Sequence, residues 1–306
     1  MIPPSPAHAD VLRWPSMGEY LALKRTRRSN VGRLLKTAWL YTVTFPLRPE
    51  FERAVAGVPE VATVLQHNRR LYLSAFDCGF DVRLGARARF RALAAGLQAV
   101  VPRLLDTRAP SVGLSEWMVW CDDASGCSVR LGTNRLAPQE GIWMLSLFDG
   151  DGVHLFMLSF TVVGDVAYIG SVQGAVREEE GRDRIRQLTK ALHGLRPHHA
   201  LLEVCRALMQ AWSVARLEGI DAEWQVKAAD GSRARDRVHF DYRAFWSEAG
   251  GQAGAQGYWH LPLQAPRRPL EDIDARKRAM YRRRYTLVDD MTDAVARDWR
   301  PVDAPA

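Results

Sequence analysis

The chain has 306 residues, 47% hydrophobic and 25% charged, a balance that builds a core and excludes an intrinsically disordered chain. Its net charge of +7 favours anionic partners such as phosphates, nucleic acid or acidic lipid headgroups. No run approaches the ~18 apolar residues of a transmembrane helix, and the N-terminal Met1–His8 lacks the charged-then-apolar pattern of a signal peptide, so a cytoplasmic protein is expected.

Residues 1–15 form a Pro-rich arm, and residues 16–110 read as helical. Val31, Leu34, Leu35, Ala38 and Trp39 recur at helical spacing behind a basic patch of Arg25, Arg27 and Arg28. Pro46 and Pro49 interrupt the pattern, and the Ala-, Leu- and Arg-rich stretch Ala86–Leu105 is the strongest helix of this half. Nothing here has catalytic spacing.

At Pro110 the period changes. Short alternating runs follow at 117–121, 128–132, 142–148, 153–163 and 166–172, an antiparallel meander of about five strands. Gly164-Asp165 closes the last two as a tight hairpin. Asp149-Gly-Asp-Gly lacks the later acidic residue of a calcium loop and reads as a turn. Cys78, Cys121, Cys127 and Cys205 contain no Cys-x-x-Cys and no His at ligand spacing, so neither a metal site nor a disulfide framework is expected.

A charged segment, 177–190, precedes Gly194-Leu-Arg-Pro-His-His-Ala200. Pro197 suits the first position of a helix. An apolar stripe from Leu201 to Leu217 predicts that helix to run to about Glu218, with Gly219 as its C-cap and a strand over 220–226. Residues 227–237 read as a loop and 239–248 as a short helix ended by Gly250-Gly251. Residues 258–262 read as a strand and 270–290 as an Arg-rich helix. The fold class is α+β, with a helical N-terminal region packed on a mixed, mostly antiparallel sheet. The expected division is an arm (1–15), a helical region (16–110), an α+β core (111–265) and a basic C-terminal helix and tail (266–306).

Several pieces together resemble the VirK/YbjX family of Gram-negative bacteria. They are Glu140-Gly141, 169–174, Thr189–Pro197, His239–Trp246 and Lys277–Tyr285. The resemblance implies a cytoplasmic protein linked to envelope traits, virulence or resistance to cationic peptides, and no settled biochemical activity.

The order hairpin, amide-bearing turn, long helix, strand, short helix, strand is similar to the GNAT acyltransferase core. There, an acyl-CoA pyrophosphate rests on backbone N–H groups at the start of the central helix, where unpaired amides and the helix dipole favour an anion. The matching residues here are Gly194, Arg196, His198, His199 and Ala200. They depart from that pattern: Pro197 removes a donor, and His198 stands where glycine would admit a phosphate. The alternative is that Arg196-Pro197-His198-His199 only starts a helix.

GNAT enzymes often carry an acid tyrosine four residues before a glycine. Trp246 holds that place before Gly250, and Tyr242 lies one turn earlier. His239 or Asp241 is then the expected base and Tyr242 the acid, unless His239 and Asp241 cap the helix. Ser171, Gln173 and Trp246 are expected beside the substrate, with strand amides at 170–174 polarising its carbonyl. Arg278 and Arg282, four apart on one helix face, either bind an anion or form a solvated face.

Three functions follow as expectations. The first is acyl transfer from a CoA-type thioester to an amine of a peptide, lipid or small molecule, without a metal. The second is non-catalytic binding of an anionic lipid or regulator. The third is an RNA-linked, aminoacyl-tRNA-dependent transfer.

Overall fold

A computed structural model of the chain describes residues 12–23, 31–112, 116–175, 178–226, 240–254 and 256–300. The N-terminal helices are α1 (Met17–Leu23), α2 (Val31–Thr44), α3 (Arg48–Val55), α4 (Glu60–His67), α5 (Leu73–Phe76) and α6 (Ala86–Leu105). Pro46 and Pro49 sit where α2 gives way to a 3₁₀ turn and then α3, each in a first turn, where a missing N–H costs nothing. Trp14 stacks on Phe90 with ring centres 5.2 Å apart and meets Phe51, Tyr72 and Phe76 edge-on. These aromatics bury the area that gives this half its core.

The sheet follows as β1 (Glu116–Cys121), β2 (Ser128–Thr133), β3 (Trp143–Phe148), β4 (His154–Val163) and β5 (Val166–Gly174), an antiparallel meander. Gly164, at φ +62°, makes the turn between β4 and β5. Helices α7 (Glu178–Ala191) and α8 (Pro197–Ala211) lead to β6 (Arg216–Ile220), which pairs parallel to β5. After α9 (Tyr242–Glu248), the strands β7 (Gln252–Ala253) and β8 (Tyr258–Leu261) complete the order β1-β2-β3-β4-β5-β6-β8-β7. The chain ends in α10 (Ala275–Trp299). The fold is α+β, with an N-terminal helical region on a mixed, mostly antiparallel sheet.

Helices cover both faces of the sheet. On one, Gly96 of α6 lies so close that a Cβ would come within 2.5 Å of Ile142 and 3.0 Å of Thr161, and Trp143 donates its indole N–H to the Gly96 carbonyl at 2.8 Å. On the other, α8 and its end set His198 against Phe156 and Trp212 against Phe160, and Trp212 meets Trp299 of α10 edge-on.

Several expected boundaries move. The strand expected over 220–226 is β6 at Arg216–Ile220, followed by a 3₁₀ turn at Ala222–Trp224, and the helix expected over 270–290 runs from Ala275 to Trp299. Residues 178–191 are a helix. Helix α8 ends at Ala211, seven residues before the expected stop, because Trp212 leaves helical geometry and Ser213 turns left-handed at φ +54°. The apolar run from Val214 to Ile220 therefore belongs partly to strand β6. Gly219 lies in that strand and caps no helix; a Cβ there would sit 2.6 Å from the Trp246 ring, so a close side chain explains the glycine.

Candidate functional site

Strand β5 pairs with β6 only from Val166 to Ile169. At Gly170 the register with β4 also shifts, a bulge between Ser159 and Phe160. A Cβ at Gly170 would lie 1.9 Å from the Glu140 carbonyl oxygen, so only glycine lets the 3₁₀ turn at Pro138–Glu140 approach the strand. Beyond the bulge, β5 presents its backbone to α9 instead of to a strand. The Tyr242 hydroxyl occupies the gap, accepting the Val172 N–H at 3.2 Å and donating to the Val172 carbonyl at 2.9 Å.

Four polar side chains gather around that hydroxyl. Glu140, 6% exposed, accepts from the Gln173 side-chain amide. Gln173 also donates to the Ser171 hydroxyl at 3.1 Å, and Ser171 is itself buried. Gln225 lies against Tyr242, buried; its side-chain amide is close enough to the phenol oxygen to lower the phenol's pKa, though it makes no hydrogen bond of good geometry among the described residues. Burial first, and then the nearby charge of Glu140, hold the Tyr242 phenol protonated well above the ordinary tyrosine range. The cluster thus combines a buried carboxylate, a protonated phenol and a side-chain amide beside that phenol. Glu140 and Gln225 are missing from the sequence reading as chemistry. The pair Glu140-Gly141 is the available signal, but it stands far from Tyr242 in the sequence.

The start of α8 lies nearby. No side chain caps it. His198 packs among Phe156, Phe240, Phe245 and His199. Burial, with the charges of His199 and Arg196 adding to it, pushes its pKa down to about 3. His199 is also lowered by burial, against the pull of Glu248, whose carboxylate lies 3.3 Å from its Nε2 and 3.4 Å from Arg196. The turn before the helix is covered: a Cβ on Gly194 would come within 2.5 Å of the Arg284 guanidinium, which donates to the His193 carbonyl at 3.2 Å. The C-terminal helix therefore brings a cation to the turn where the sequence reading placed phosphate.

His198 carries a pH prediction. Its folded pKa lies below the unfolded value, so the unfolded chain binds more protons between about pH 6.5 and 3, and stability falls on acidification through that window. Thermal melts at pH 7 and pH 4.5 should show a smaller loss for His198→Gln than for the wild-type chain. Equal losses would contradict it.

The remaining expected residues are placed as follows. Asp241 is the N-cap of α9, its carboxylate accepting the Ala244 N–H at 3.0 Å, which matches the capping alternative. Trp246 is fully buried and donates to the Ile220 carbonyl at 3.0 Å. Ala200 is buried in the core. Arg278 donates to the Ile273 and Glu271 carbonyls, anchoring its own helix. Arg282 is exposed, with no ion pair or side-chain hydrogen bond among the described residues. His239 lies outside the described residues. So the structure brings together Ser171, Gln173 and Tyr242, while Asp241, Trp246 and Arg278 have structural partners. Among the described residues no cluster of three or more His, Cys, Asp or Glu side chains is arranged to hold a metal ion.

A separate polar recess of about 410 Å³ opens between α8, residues 263–267 and α10. At its base Arg206, 2% exposed, pairs with Glu203 at 2.6 Å and donates to the Ala249 carbonyl at 2.6 Å.

A family model described as "Protein of unknown function (DUF535)" matches residues 27–297. An uncharacterized protein of Haemophilus influenzae is 31% identical over 220 residues, covering 71% of this chain and 73% of that one. The uncharacterized protein YbjX of Escherichia coli is 30% identical over 167 residues, 53% of this chain and 50% of that one. A protein of Mannheimia haemolytica named "Membrane protein LapB" is 24% identical over 231 residues, 72% of this chain and 96% of that one. No solved structure matches. No described helix is long and apolar enough to cross a membrane.

Proposed function

The chain belongs to the DUF535 family, the family of YbjX, and from that premise we propose that it is a GNAT-like acyltransferase moving an acyl group from a CoA-type thioester to an amine. The observation that carries the reading is the gap after Ile169, where the Val172 N–H and carbonyl are held by one phenol instead of a strand. The arm of CoA carries amides, and an amide arm pairs with such a strand edge as a peptide does. The parallel β5–β6 pair, joined through α8, supports the same reading.

The donor's arm displaces Tyr242 from Val172. Gln225 then has a free amide to donate to the thioester carbonyl oxygen, where negative charge develops. The amine nitrogen attacks the carbonyl carbon; a C–N bond forms and the C–S bond breaks. Glu140 takes the proton that the amine sheds, the Tyr242 phenol gives one to the departing thiolate, and the proton on Glu140 then passes to the Tyr242 phenolate, so both groups are restored and no net proton is produced. Arg196, exposed beside the start of α8, and Arg284 at the turn supply positive charge for the donor's phosphates.

Thermal-shift measurements with acetyl- and long-chain acyl-CoA test the donor. Tyr242→Phe leaves the Val172 groups unpaired, at a cost of about 1–3 kcal/mol, so the thioester should stabilise this variant more than the wild-type chain. Its turnover should fall by about 10²-fold. If no CoA thioester stabilises either protein, the donor is wrong. Stabilisation without transfer to any amine supports a non-catalytic binding role.

A further inference from the structure

Helix α2 turns an apolar stripe outward. Val31 (71% exposed), Leu35 (65%) and Trp39 (62%) stand in solvent, with Leu34, Val43 and the adjoining Phe45 also exposed. Their spacing of three and four residues makes one continuous apolar stripe along the helix. The inner side carries Tyr41, whose ring stacks on Phe76 and Tyr20, together with the buried Thr37 and Thr44. Thr44 donates its hydroxyl to the Leu40 and Tyr41 carbonyls, so its polar group is satisfied locally. The core therefore uses one side of α2, and the apolar stripe is left over on the other. Six large apolar side chains on one stretch form a patch that marks an interaction surface.

The charge around the stripe identifies what covers it. The thirty residues from Tyr20 to Pro49 contain seven Lys and Arg and no Asp or Glu. Lys36 is exposed on the helix itself. An exposed apolar stripe anchored by a tryptophan, within a stretch whose sequence carries only positive charge, has the make-up of a helix that lies in the plane of a membrane surface. A second copy of the same face would set like charges against each other, which disfavours self-association. Nucleic acid would leave the aliphatic stripe unburied.

We propose that α2 docks this protein on an anionic phospholipid bilayer, with Val31, Leu35, Trp39 and Val43 in the boundary between headgroups and acyl chains. Lys36, exposed on the same helix, meets the lipid phosphates, and the basic sequence before it adds to the attraction. The helix lies on the bilayer and does not span it. This surface is independent of the acyl-transfer reading and stands or falls separately.

Vesicle flotation tests it, using the full chain with phosphatidylcholine vesicles and with the same vesicles containing phosphatidylglycerol. The wild-type chain should float with the phosphatidylglycerol vesicles, and less of it as salt is raised. Leu35→Ser/Trp39→Ser should lower the apparent affinity by about tenfold or more, and Lys36→Glu should lower it by a smaller factor. Both positions are exposed, so the variant's circular dichroism and melting temperature should match the wild-type chain and confirm the fold. The proposal is overturned if the wild-type chain ignores phosphatidylglycerol, or if the double variant floats equally well. It is also overturned if the stripe proves to hold two copies together, shown by a dimer that the double variant makes monomeric in the absence of vesicle binding.

Discussion

Glu140→Gln should lower acyl transfer by about 10²–10⁴-fold while leaving the melting temperature nearly unchanged. The substitution preserves shape. A glutamine oxygen can still accept from Gln173, so the contact that ties the 3₁₀ turn to β5 survives. What disappears is the negative charge that would take the amine proton. The loss should fall on kcat, with KM for the thioester little altered, because Glu140 acts on the acceptor and not on the donor's arm. Raising the pH should not restore the rate of the variant at a fixed fraction of deprotonated amine, which separates loss of a base from a change in acceptor charge. If Glu140→Gln transfers acyl groups at the wild-type rate, the carboxylate is a structural tie and the assignment fails.

Arg206→Ala should be the most damaging single change to stability outside the aromatic core. Arg206 is buried on α8, held by Glu203 on one side and by the carbonyl of Ala249 at the end of α9 on the other. Removing it leaves the Glu203 carboxylate without its cation. Burial already raises the pKa of Glu203 although Arg206 works against it, so the carboxylate is poorly hydrated where it sits. Breaking a buried pair from one side costs about 3–5 kcal/mol; the polar recess that opens beside the pair places the cost at the lower end, about 3 kcal/mol. For a chain of 306 residues that is a fall of about 5 °C in Tm.

The sign of its pH dependence is also determined. In the variant the folded pKa of Glu203 lies further above the unfolded value, so the folded state binds more protons in the window between them. Stability therefore falls as pH rises through that window and recovers as pH drops toward the unfolded value of about 4.3. Glu203→Gln added to Arg206→Ala removes the buried charge and should recover part of the loss. A variant as stable as the wild-type chain at pH 8 would show that the pair contributes little.

The periodicity of the sequence was a sound guide wherever one face of an element meets the core. The runs over 153–163 and 166–172 located β4 and β5, and Gly164-Asp165 is their turn, because strand-forming residues and a two-residue turn are both decided by near neighbours. Asp241 as an N-cap was legible for the same reason. Helix α8 misled, since its apolar residues continue without a break into β6 and only the left-handed Ser213 divides them. Helix α2 was readable as a helix, but not its orientation: nothing in Val31, Leu35 and Trp39 states that they face outward, because an apolar stripe looks the same in a core and on a surface.

The sequence by itself determined an α+β fold, the meander, the short helix that carries Tyr242 and the family to which the chain belongs. The tertiary structure alone decided which side chains come together at the candidate site. Glu140, Val172, Gln225 and Tyr242 come from four separate stretches and meet only because β5 bulges at Gly170 and parts from β6. It also decided that Arg284 covers Gly194, ninety residues away in the chain. Local propensity is a property of neighbouring residues, whereas a site is a set of contacts between distant ones, fixed by how the whole core packs.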